Sequence, residues 1–206
     1  MRIGIDFDNT LVSYDALFHR VALDQRVIPD DLARTKVAVR DYLRRIGQEP
    51  VWTEMQGTVY GARMDEAQAY PGAIEFLRWA SSAGIELCIV SHKTRHPFIG
   101  PKHDLHDAAR RWVERHLAGT SRPLIAPADV FFELTKDEKL SRIAATGCAY
   151  YIDDLPEILL APGFPSQVRR ILFDPDAHHI AHPALLHMRS WQDIHEFFEH
   201  ECRSKR

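Results

Sequence analysis

Two aspartates lie at the end of the first apolar run of the sequence, residues 3–7. Asp6 belongs to this run and Asp8 directly follows the run, so one residue separates the two aspartates. If the run is a strand that ends in a turning loop, both carboxylates can face the same crevice. Carboxylates in such a crevice act as nucleophiles, as general acids and bases, or as ligands of hard cations. The spacing therefore predicts acid–base or nucleophilic chemistry at this point.

Polar side chains that catalysis commonly uses also follow three later apolar runs. They are Ser91 and His92 after residues 85–90, Lys136 after residues 130–134, and Asp153 and Asp154 after residues 149–152. In open parallel sheets, ligands bind outside the carboxyl ends of the strands. We therefore expect four carboxylates, a hydroxyl and a lysine to share one cleft.

Electrostatics predicts a cation in this cleft. Two carboxylates about 5 Å apart repel each other by about 3 kcal/mol at an effective dielectric constant of about 20. Four carboxylates with one lysine need a further cation to stay ionised, and an all-oxygen ligand set that retains water favours Mg²⁺. A metal beside a carboxylate nucleophile, a hydroxyl and a lysine is suited to phosphoryl transfer.

The composition excludes several other classes of protein. The chain has 206 residues, 45% of them hydrophobic, and 26 Lys and Arg against 29 Asp and Glu, a net charge of −3. This length favours one domain, or one domain with a sizeable insertion. The charge gives no reason to expect a nucleic acid or a membrane as partner. The oligomeric state stays open.

The cysteines and the N-terminus indicate a cytoplasmic protein. The three cysteines are Cys88, Cys148 and Cys202, which form neither a disulfide framework nor a CxxC metal motif. A carboxylate at Asp6 interrupts any signal-peptide core, and no apolar run approaches the roughly 20 residues that cross a bilayer.

Short apolar runs alternate with segments of helical periodicity, which predicts an α/β fold with a mostly parallel sheet. The expected strands are residues 3–7, 85–90, 130–134, 149–152 and 170–173. Helices are expected over residues 73–83, after an N-cap at Asp104, and from Trp191 onward. Thr135 and Glu138 have the spacing of a capping box at the start of another helix.

Residues 14–70 interrupt this alternation. They contain helical patterns but no strand-like run, and Pro71-Gly72 returns the chain to the sheet. We predict a catalytic core of residues 1–13 and 71–206, with a helical cap inserted at 14–70. Four large side chains of the insertion are expected to serve packing, with substrate recognition as the alternative: Trp52, Met55, Tyr60 and Met64.

The polar residues taken together resemble a known signature. Asp6-Phe7-Asp8-Asn9-Thr10, Ser91, Lys136 and Asp153-Asp154 are similar, in order and placement, to the four motifs of the haloacid dehalogenase superfamily. Its members are mainly Mg²⁺-dependent phosphohydrolases with a Rossmann-like sheet. One such motif alone has little specificity, but four in order over residues 6–154 are specific. The resemblance implies the strand order 5-4-1-2-3, in which the strand before Asp6 is central.

The resemblance also implies a role for each residue. Asp6 would attack phosphorus and form an aspartyl-phosphate, while Asp8 would protonate the leaving oxygen and later deprotonate water. The implied phosphate-binding residues are Thr10, which would also brace the loop, Ser91, His92 and Lys136. The implied Mg²⁺ ligands are Asp6, Asp8 through its backbone carbonyl, Asp153 and Asp154.

Several alternatives remain open at this point. Lys139 competes with Lys136 for the lysine role, and we favour Lys136 because it precedes the body of the helix. Asp153 is favoured over Asp154 as the direct metal ligand. In addition, one of His92, Lys93 and Arg95 is a candidate for contact with an anionic substrate.

Asp8 bears on the class of reaction. Within this superfamily, the haloalkanoic acid dehalogenases lack the second acidic residue, so its presence favours phosphate esters over halides. We therefore expect a phosphatase acting on a small phosphorylated metabolite. The alternatives are a phosphotransferase or phosphomutase with the same intermediate, and a binding or regulatory protein that kept the fold without catalysis.

Overall fold

The computed structural model describes residues 1–120 and 122–204, and the chain divides into two compact units. The core unit comprises Met1–Leu11, Ala69–His92 and the described residues of Leu117–Arg206. The helical unit comprises Val12–Gln68 and Lys93–His116. Within the described part of the chain, no helix combines the length and the apolar character that crossing a bilayer requires.

The part of the chain that the structure describes contains eight strands. In chain order they are β1 (Arg2–Ile5), β2 (Val12–Ser13), β3 (Gln68–Ala69), β4 (Glu86–His92), β5 (Val130–Glu133), β6 (Tyr150–Asp153), β7 (Arg169–Phe173) and β8 (Leu186–Met188). Six of them form a parallel sheet with the order β5-β4-β1-β6-β7-β8. β2 and β3 form a two-stranded sheet.

The predicted α/β class is confirmed, and so is the order of the five predicted strands, with β1 in the centre. β1 pairs with β4 through Ile5 and Ile89 and with β6 through Ile5 and Ile152. The sequence analysis missed the sixth strand, β8. It has three residues, with His187 at its centre, and so lacks the apolar run by which the other strands were found.

The described residues also form eight α-helices. They are α1 (Asp15–Asp24), α2 (Lys36–Arg45), α3 (Glu49–Gly57), α4 (Ala73–Ser82), α5 (Leu105–His116), α6 (Lys136–Thr146), α7 (Pro156–Leu159) and α8 (Trp191–Arg203). A π-helical turn covers Thr58–Ala62, and 3₁₀ turns cover Met64–Glu66 and Pro127–Asp129.

The predicted capping box at the start of α6 is confirmed. The Thr135 hydroxyl accepts from the backbone N–H of Glu138, and the Glu138 carboxylate accepts from the backbone N–H of Thr135. These two contacts satisfy donors at the exposed helix end. They fix where α6 begins and therefore which of its residues reach the carboxyl edge of the sheet.

One hydrophobic cluster of the core unit lies between the parallel sheet and the helices α6 and α7. Buried side chains of β4, β6 and β7 pack there with side chains of both helices, among them Val90, Ile143, Tyr151, Leu159 and Leu172. The Tyr151 hydroxyl donates to the carbonyl oxygen of Val90 over 2.5 Å. This packing holds the carboxyl ends of β4 and β6 at fixed positions beside β1.

The helical unit differs in extent from the predicted insertion at 14–70. Residues 93–116, which the sequence analysis assigned to the core, belong to it. The buried indole N–H of Trp112 in α5 donates to the carbonyl of Ala67 over 2.9 Å. A Cβ at Gly61 would lie 2.6 Å from the Cβ of His103, so only glycine allows this segment to approach so closely. The sequence predicted the helix α5 after the N-cap at Asp104, but not which surface this helix covers.

Candidate active site

Three of the predicted functional residues come together at the carboxyl edge of the sheet. Asp6 directly follows β1, Ser91 lies near the end of β4, and Asp153 is the last residue of β6. The backbone N–H of Asp6 donates to the carbonyl of Ile152 over 2.8 Å, so the β1–β6 pairing extends to Asp6 itself. Adjacent parallel strands thus place a hydroxyl and a second carboxylate on either side of Asp6.

Lys139 joins the two carboxylates. Its ammonium group donates to Oδ1 of Asp6 over 2.7 Å and to Oδ2 of Asp153 over 2.6 Å. All three side chains are buried, with exposed side-chain fractions of 2%, 5% and 0%. A charge buried to this extent is stable only when it is paired and hydrogen-bonded, as these are.

Lys136, which the sequence analysis favoured for this role, lies elsewhere. Its ammonium group donates to the backbone carbonyl of Glu157 over 2.6 Å. The physical reason is that side chains on a helix lean towards its N-terminus, so a residue one turn inside reaches back to the end of the helix. Lys139 occupies that position in α6, whereas Lys136 is the first helical residue. Lys139, the alternative in the sequence analysis, therefore contacts the carboxylates, and Lys136, the favoured candidate, does not.

Ser91 completes the environment of Asp6. Its hydroxyl donates to Oδ1 of Asp6 over 2.8 Å, the same oxygen that Lys139 contacts. Among the described residues, none donates a hydrogen bond to Oδ2 of Asp6. One oxygen of this carboxylate is therefore held in place, and the other is left for a reaction partner.

Thr10 connects the loop after β1 to the loop after β6. Its hydroxyl donates to Oδ1 of Asp154 over 3.2 Å and accepts from the backbone N–H of Asp154 over 3.1 Å. The indole N–H of Trp191 in α8 donates to the Thr10 carbonyl over 3.1 Å. Thr10 thus braces this loop, as predicted, and its hydroxyl orients the carboxylate of Asp154.

Asp8 lies in the turn that follows Asp6. The turn is closed by the backbone N–H of Leu11, which donates to the carbonyl of Phe7 over 3.2 Å. Asn9 has φ of 58°, a left-handed conformation that asparagine adopts more readily than most residues. Asp8 is half-buried, and its charge contributes to the raised pKa of Asp6, which shows that the two carboxylates are close enough to interact.

His92 is not brought to the carboxylates. It follows Ser91 in β4, where successive side chains point to opposite faces. Its ring Nε2–H donates to the carbonyl oxygen of Leu134 over 3.0 Å. The predicted phosphate-binding role of His92 thus has no support in this geometry. Arg95, a further candidate for an anionic substrate, belongs to the helical unit and forms an ion pair with Asp104 over 3.0 Å.

The electrostatics of the cluster are dominated by burial. Burial raises the pKa of Asp6 from 3.8 to about 7; the positive charge of Lys139 opposes this shift, and the negative charge of Asp153 adds to it. Burial alone would lower the pKa of Lys139, but the charges of Asp153 and Asp6 outweigh it and raise that pKa above its ordinary value. Lys139 is therefore an ammonium group at neutral pH, whereas Asp6 is close to its own midpoint.

The donor set of the site fits a hard divalent cation. Asp6, Asp153 and Asp154 each place one carboxylate oxygen so that the three oxygens lie within 4.8 Å of one another. Lys139 supplies one positive charge against these three carboxylates. The excess negative charge and the all-oxygen ligand set are what Mg²⁺ requires of a protein site.

Comparisons with known proteins identify the fold. No protein-family model matches the sequence, and no curated protein matches it at a significant level. Solved structures do match over nearly the whole chain. One is a HAD-family hydrolase from Deinococcus radiodurans with bound phosphate and sodium, 18% identical, with a TM-score of 0.57 over 98% of this chain and 96% of that one.

Two further matches carry different enzymatic names. An L-2-haloacid dehalogenase is 13% identical, with a TM-score of 0.54 over 96% of this chain and 98% of that one. An archaeal β-phosphoglucomutase from Pyrococcus is 11% identical, with a TM-score of 0.54 over 100% and 99% of the two chains. The chain has the fold of the haloacid dehalogenase superfamily, as its motifs indicated. Because enzymes of different activity share this fold, the function must be argued from the site itself.

Proposed function

We propose that the chain is a Mg²⁺-dependent phosphatase of the haloacid dehalogenase superfamily, which acts on a small phosphorylated metabolite through an aspartyl-phosphate at Asp6. The observation that carries this proposal is the pair of hydrogen bonds from Lys139 and Ser91 to the same oxygen of Asp6. They orient the carboxylate and leave Oδ2 for attack. Fixed orientation of a nucleophile is a large part of its catalytic efficiency.

In the first step, Oδ2 of Asp6 attacks phosphorus and the bond from phosphorus to the leaving oxygen breaks. Asp8 gives its proton to that oxygen, so the product leaves as an alcohol. In the second step, a water attacks phosphorus, Asp8 accepts the proton of that water, and the bond between Asp6 and phosphorus breaks. Inorganic phosphate is released, and both aspartates return to their initial states.

Lys139 and Ser91 would act on the charge that develops during these steps. The ammonium group of Lys139 neutralises the Asp6 carboxylate, which allows an anionic phosphate to approach it. Ser91 donates its hydroxyl proton to Asp6 Oδ1, and this hydroxyl can turn to a phosphoryl oxygen once the nucleophile is engaged. Preorganised donors of this kind contribute several kcal/mol to rate acceleration.

The carboxylates of Asp6, Asp153 and Asp154 would hold Mg²⁺, with the backbone carbonyl of Asp8 as a further ligand implied by the family resemblance. When bound, the ion would supply charge neutralisation at the transferred phosphoryl group. Thr10 supports this role through its hydrogen bonds to Asp154. Asp153 and Asp154 both take part in the oxygen cluster, so the geometry alone favours neither as the direct metal ligand.

Asp8 favours phosphate esters over halides as substrates. A halide leaves as an anion and needs no proton, whereas an alkoxide leaving group needs a proton donor. The position of Asp8, two residues after the nucleophile and within electrostatic range of it, supplies that donor. This residue therefore supports the phosphatase proposal against a dehalogenase with the same fold.

A phosphate-release screen tests the proposal. The panel contains sugar phosphates, nucleotides, phosphoserine-like compounds and polyol phosphates, each with Mg²⁺ and with EDTA. We expect Mg²⁺-dependent release from at least one class, and none from Asp6→Asn protein purified in parallel, which controls for contaminating phosphatases. Mg²⁺-dependent transfer to an added alcohol or sugar phosphate, in excess of hydrolysis, would instead identify a phosphotransferase. No release from any compound would contradict the proposal.

A further inference from the structure

Tyr151 contacts both elements that supply hydrogen bonds to Asp6. The two donors to Oδ1 of Asp6 are Lys139 in α6 and Ser91 in β4. The Nζ atom of Lys139 lies over the Tyr151 ring, 5.7 Å from its centroid. The Tyr151 hydroxyl donates to the carbonyl of Val90, the residue before Ser91. One side chain of β6 therefore connects the two elements.

The Tyr151 side chain reaches β4 by crossing β1 at Gly4. β1 lies between β6 and β4, and Gly4 is the register partner of Tyr151 in β6 and of Cys88 in β4. A Cβ at position 4 would lie 2.7 Å from Cδ2 of the Tyr151 ring, closer than real Cβ atoms approach. Glycine at this position therefore allows the ring to lie against the backbone of β1.

Burial makes the contact between the ring and the ammonium group effective. The exposed fraction of Tyr151 is 0% and that of Lys139 is 2%. An ammonium group has three N–H donors, and the carboxylates of Asp6 and Asp153 accept from this one. The face of an aromatic ring attracts an ammonium group within about 6 Å, more strongly where water is excluded. The ring therefore adds a third contact to an ammonium group that is almost completely withdrawn from water.

We propose that Tyr151 is a positioning residue of the candidate active site. Its ring restricts the ammonium group of Lys139, and its hydroxyl fixes the end of β4 that carries Ser91. Both donors to Oδ1 of Asp6 then keep the orientation in which Oδ2 is left for attack. The expected effect on turnover rests on the proposed phosphatase function, whereas the restriction of Lys139 does not.

Tyr150 provides a matched control in the same strand. It is also buried, with an exposed fraction of 2%, but successive side chains of a strand point to opposite faces. Its ring meets Phe198 of α8 edge-to-face at a centroid distance of 4.9 Å, and its hydroxyl donates to the carboxylate of Glu201 in the same helix. Substitution of Tyr150 therefore removes a buried aromatic group of β6 on the face that packs against α8.

Exchange of the Lys139 ammonium protons with water tests the restriction of this group without any turnover. The rate is measured by NMR on metal-free protein with ¹⁵N-labelled lysine, and the signal is assigned by its loss in Lys139→Met. We expect exchange to be at least about tenfold faster in Tyr151→Leu, which lacks the ring, and within about threefold of wild type in Tyr151→Phe, which keeps it. Tyr150→Leu should exchange as wild type does.

Turnover of p-nitrophenyl phosphate with Mg²⁺ tests the effect on Asp6. Loss of orientation acts on the transition state, so kcat should fall while KM stays within about threefold of wild type. We expect kcat to fall about tenfold in Tyr151→Phe, which loses only the hydroxyl, and about 100-fold in Tyr151→Leu. Tyr150→Phe and Tyr150→Leu should keep kcat within about threefold of wild type.

The two measurements can fail independently. Unchanged ammonium exchange in Tyr151→Leu would overturn the restriction of Lys139 by the ring. Equal losses of kcat in the Tyr150 and Tyr151 variants, or a change confined to KM, would overturn the positioning role. Absence of hydrolysis by wild type would contradict the phosphatase function, and the exchange rates would still test the restriction of Lys139. Circular dichroism checks the fold, and if Tyr151→Leu does not fold, kcat of Tyr151→Phe against that of Tyr150→Phe decides.

Discussion

Two aspartates of the core unit occupy similar positions in the sheet but accept hydrogen bonds from different kinds of donor. Asp6 directly follows β1 and Asp174 directly follows β7, both in the same parallel sheet, with exposed fractions of 4% and 5%. Asp6 is contacted on one oxygen by two side chains, Lys139 and Ser91. Asp174 is contacted on both oxygens, by the backbone N–H groups of His178 over 2.9 Å and His179 over 3.1 Å.

The difference shows that a position at the end of a strand does not by itself make a carboxylate reactive. Backbone amides that reach both oxygens of Asp174 satisfy its charge and fix the loop that follows, which is a structural role. Side-chain partners at a single oxygen of Asp6 leave the second oxygen available. We therefore attribute chemistry to Asp6 and loop stability to Asp174.

The largest expected difference is between the turnover rates of the variants Asp6→Asn and Asp174→Asn. Asp6→Asn removes the proposed nucleophile, so we expect kcat for p-nitrophenyl phosphate with Mg²⁺ to fall by about 10⁴-fold or more. Asp174→Asn, the matched control, should retain kcat within about threefold, because a loop-fixing contact makes no interaction specific to the transition state. Comparable losses in both variants would show that the distinction is wrong.

Two lysines of α6 provide the next test. Lys139→Met leaves the carboxylates of Asp6 and Asp153 without their ammonium partner, and we expect kcat/KM to fall by about 10³-fold. Lys136→Met removes only a contact with a backbone carbonyl and should change kcat/KM by less than about threefold. Circular dichroism of both variants checks the fold. A larger loss in Lys136→Met than in Lys139→Met would restore the original sequence-based assignment.

The burial of Asp6 should also make the stability of the protein depend on pH. Burial raises the pKa of Asp6 to about 7 in the folded, metal-free protein, whereas its ordinary value is 3.8. The folded state thus keeps a proton that the unfolded chain loses, and the stability contributed by this proton disappears as the pH rises from about 4 through 7.

Denaturant unfolding in EDTA measures this effect. Relative to wild type, Asp6→Asn should gain at least about 1 kcal/mol in free energy of unfolding between pH 5 and pH 8. Because each variant is compared with wild type at both pH values, any pH-independent cost of the substitution cancels. A difference between Asp6→Asn and wild type that does not change with pH would contradict the raised pKa.

The smallest expected effect is on the stability of the loop after β7. Asp174→Asn keeps one acceptor but replaces the other with an amide NH₂ that faces the N–H of His179. We expect the free energy of unfolding to fall by about 1–2 kcal/mol, measured by urea denaturation. A free energy of unfolding within about 0.3 kcal/mol of the wild-type value would show that these backbone contacts do not stabilise the loop.

Much of the fold could be predicted because its signals are local. Five strands were visible as apolar runs bounded by polar residues, and Thr135 with Glu138 marked the start of α6. Parallel strands bring their carboxyl ends to one edge, so the approach of Ser91 and Asp153 to Asp6 followed from the order of the strands.

The errors arose where the outcome depends on geometry that no local pattern encodes. Lys136 and Lys139 lie in the same helical turn, and only the direction in which helical side chains lean decides which one reaches Asp6. Asp174 was not singled out, because the backbone amides that satisfy it carry no sequence signature. The place of residues 93–116 in the helical unit depends on the close approach at Gly61, which is a long-range contact.

Trapping the phosphorylated enzyme tests the central claim most directly. Wild-type protein is mixed with radiolabelled substrate and Mg²⁺, quenched in acid within one turnover and digested for peptide mapping. We predict a hydroxylamine-labile label on the peptide that contains Asp6, located on Asp6 by mass spectrometry and absent from Asp6→Asn. A label on Ser91 or Asp8, or product formation in a single turnover without any labelled peptide, would contradict the assignment of Asp6 as nucleophile.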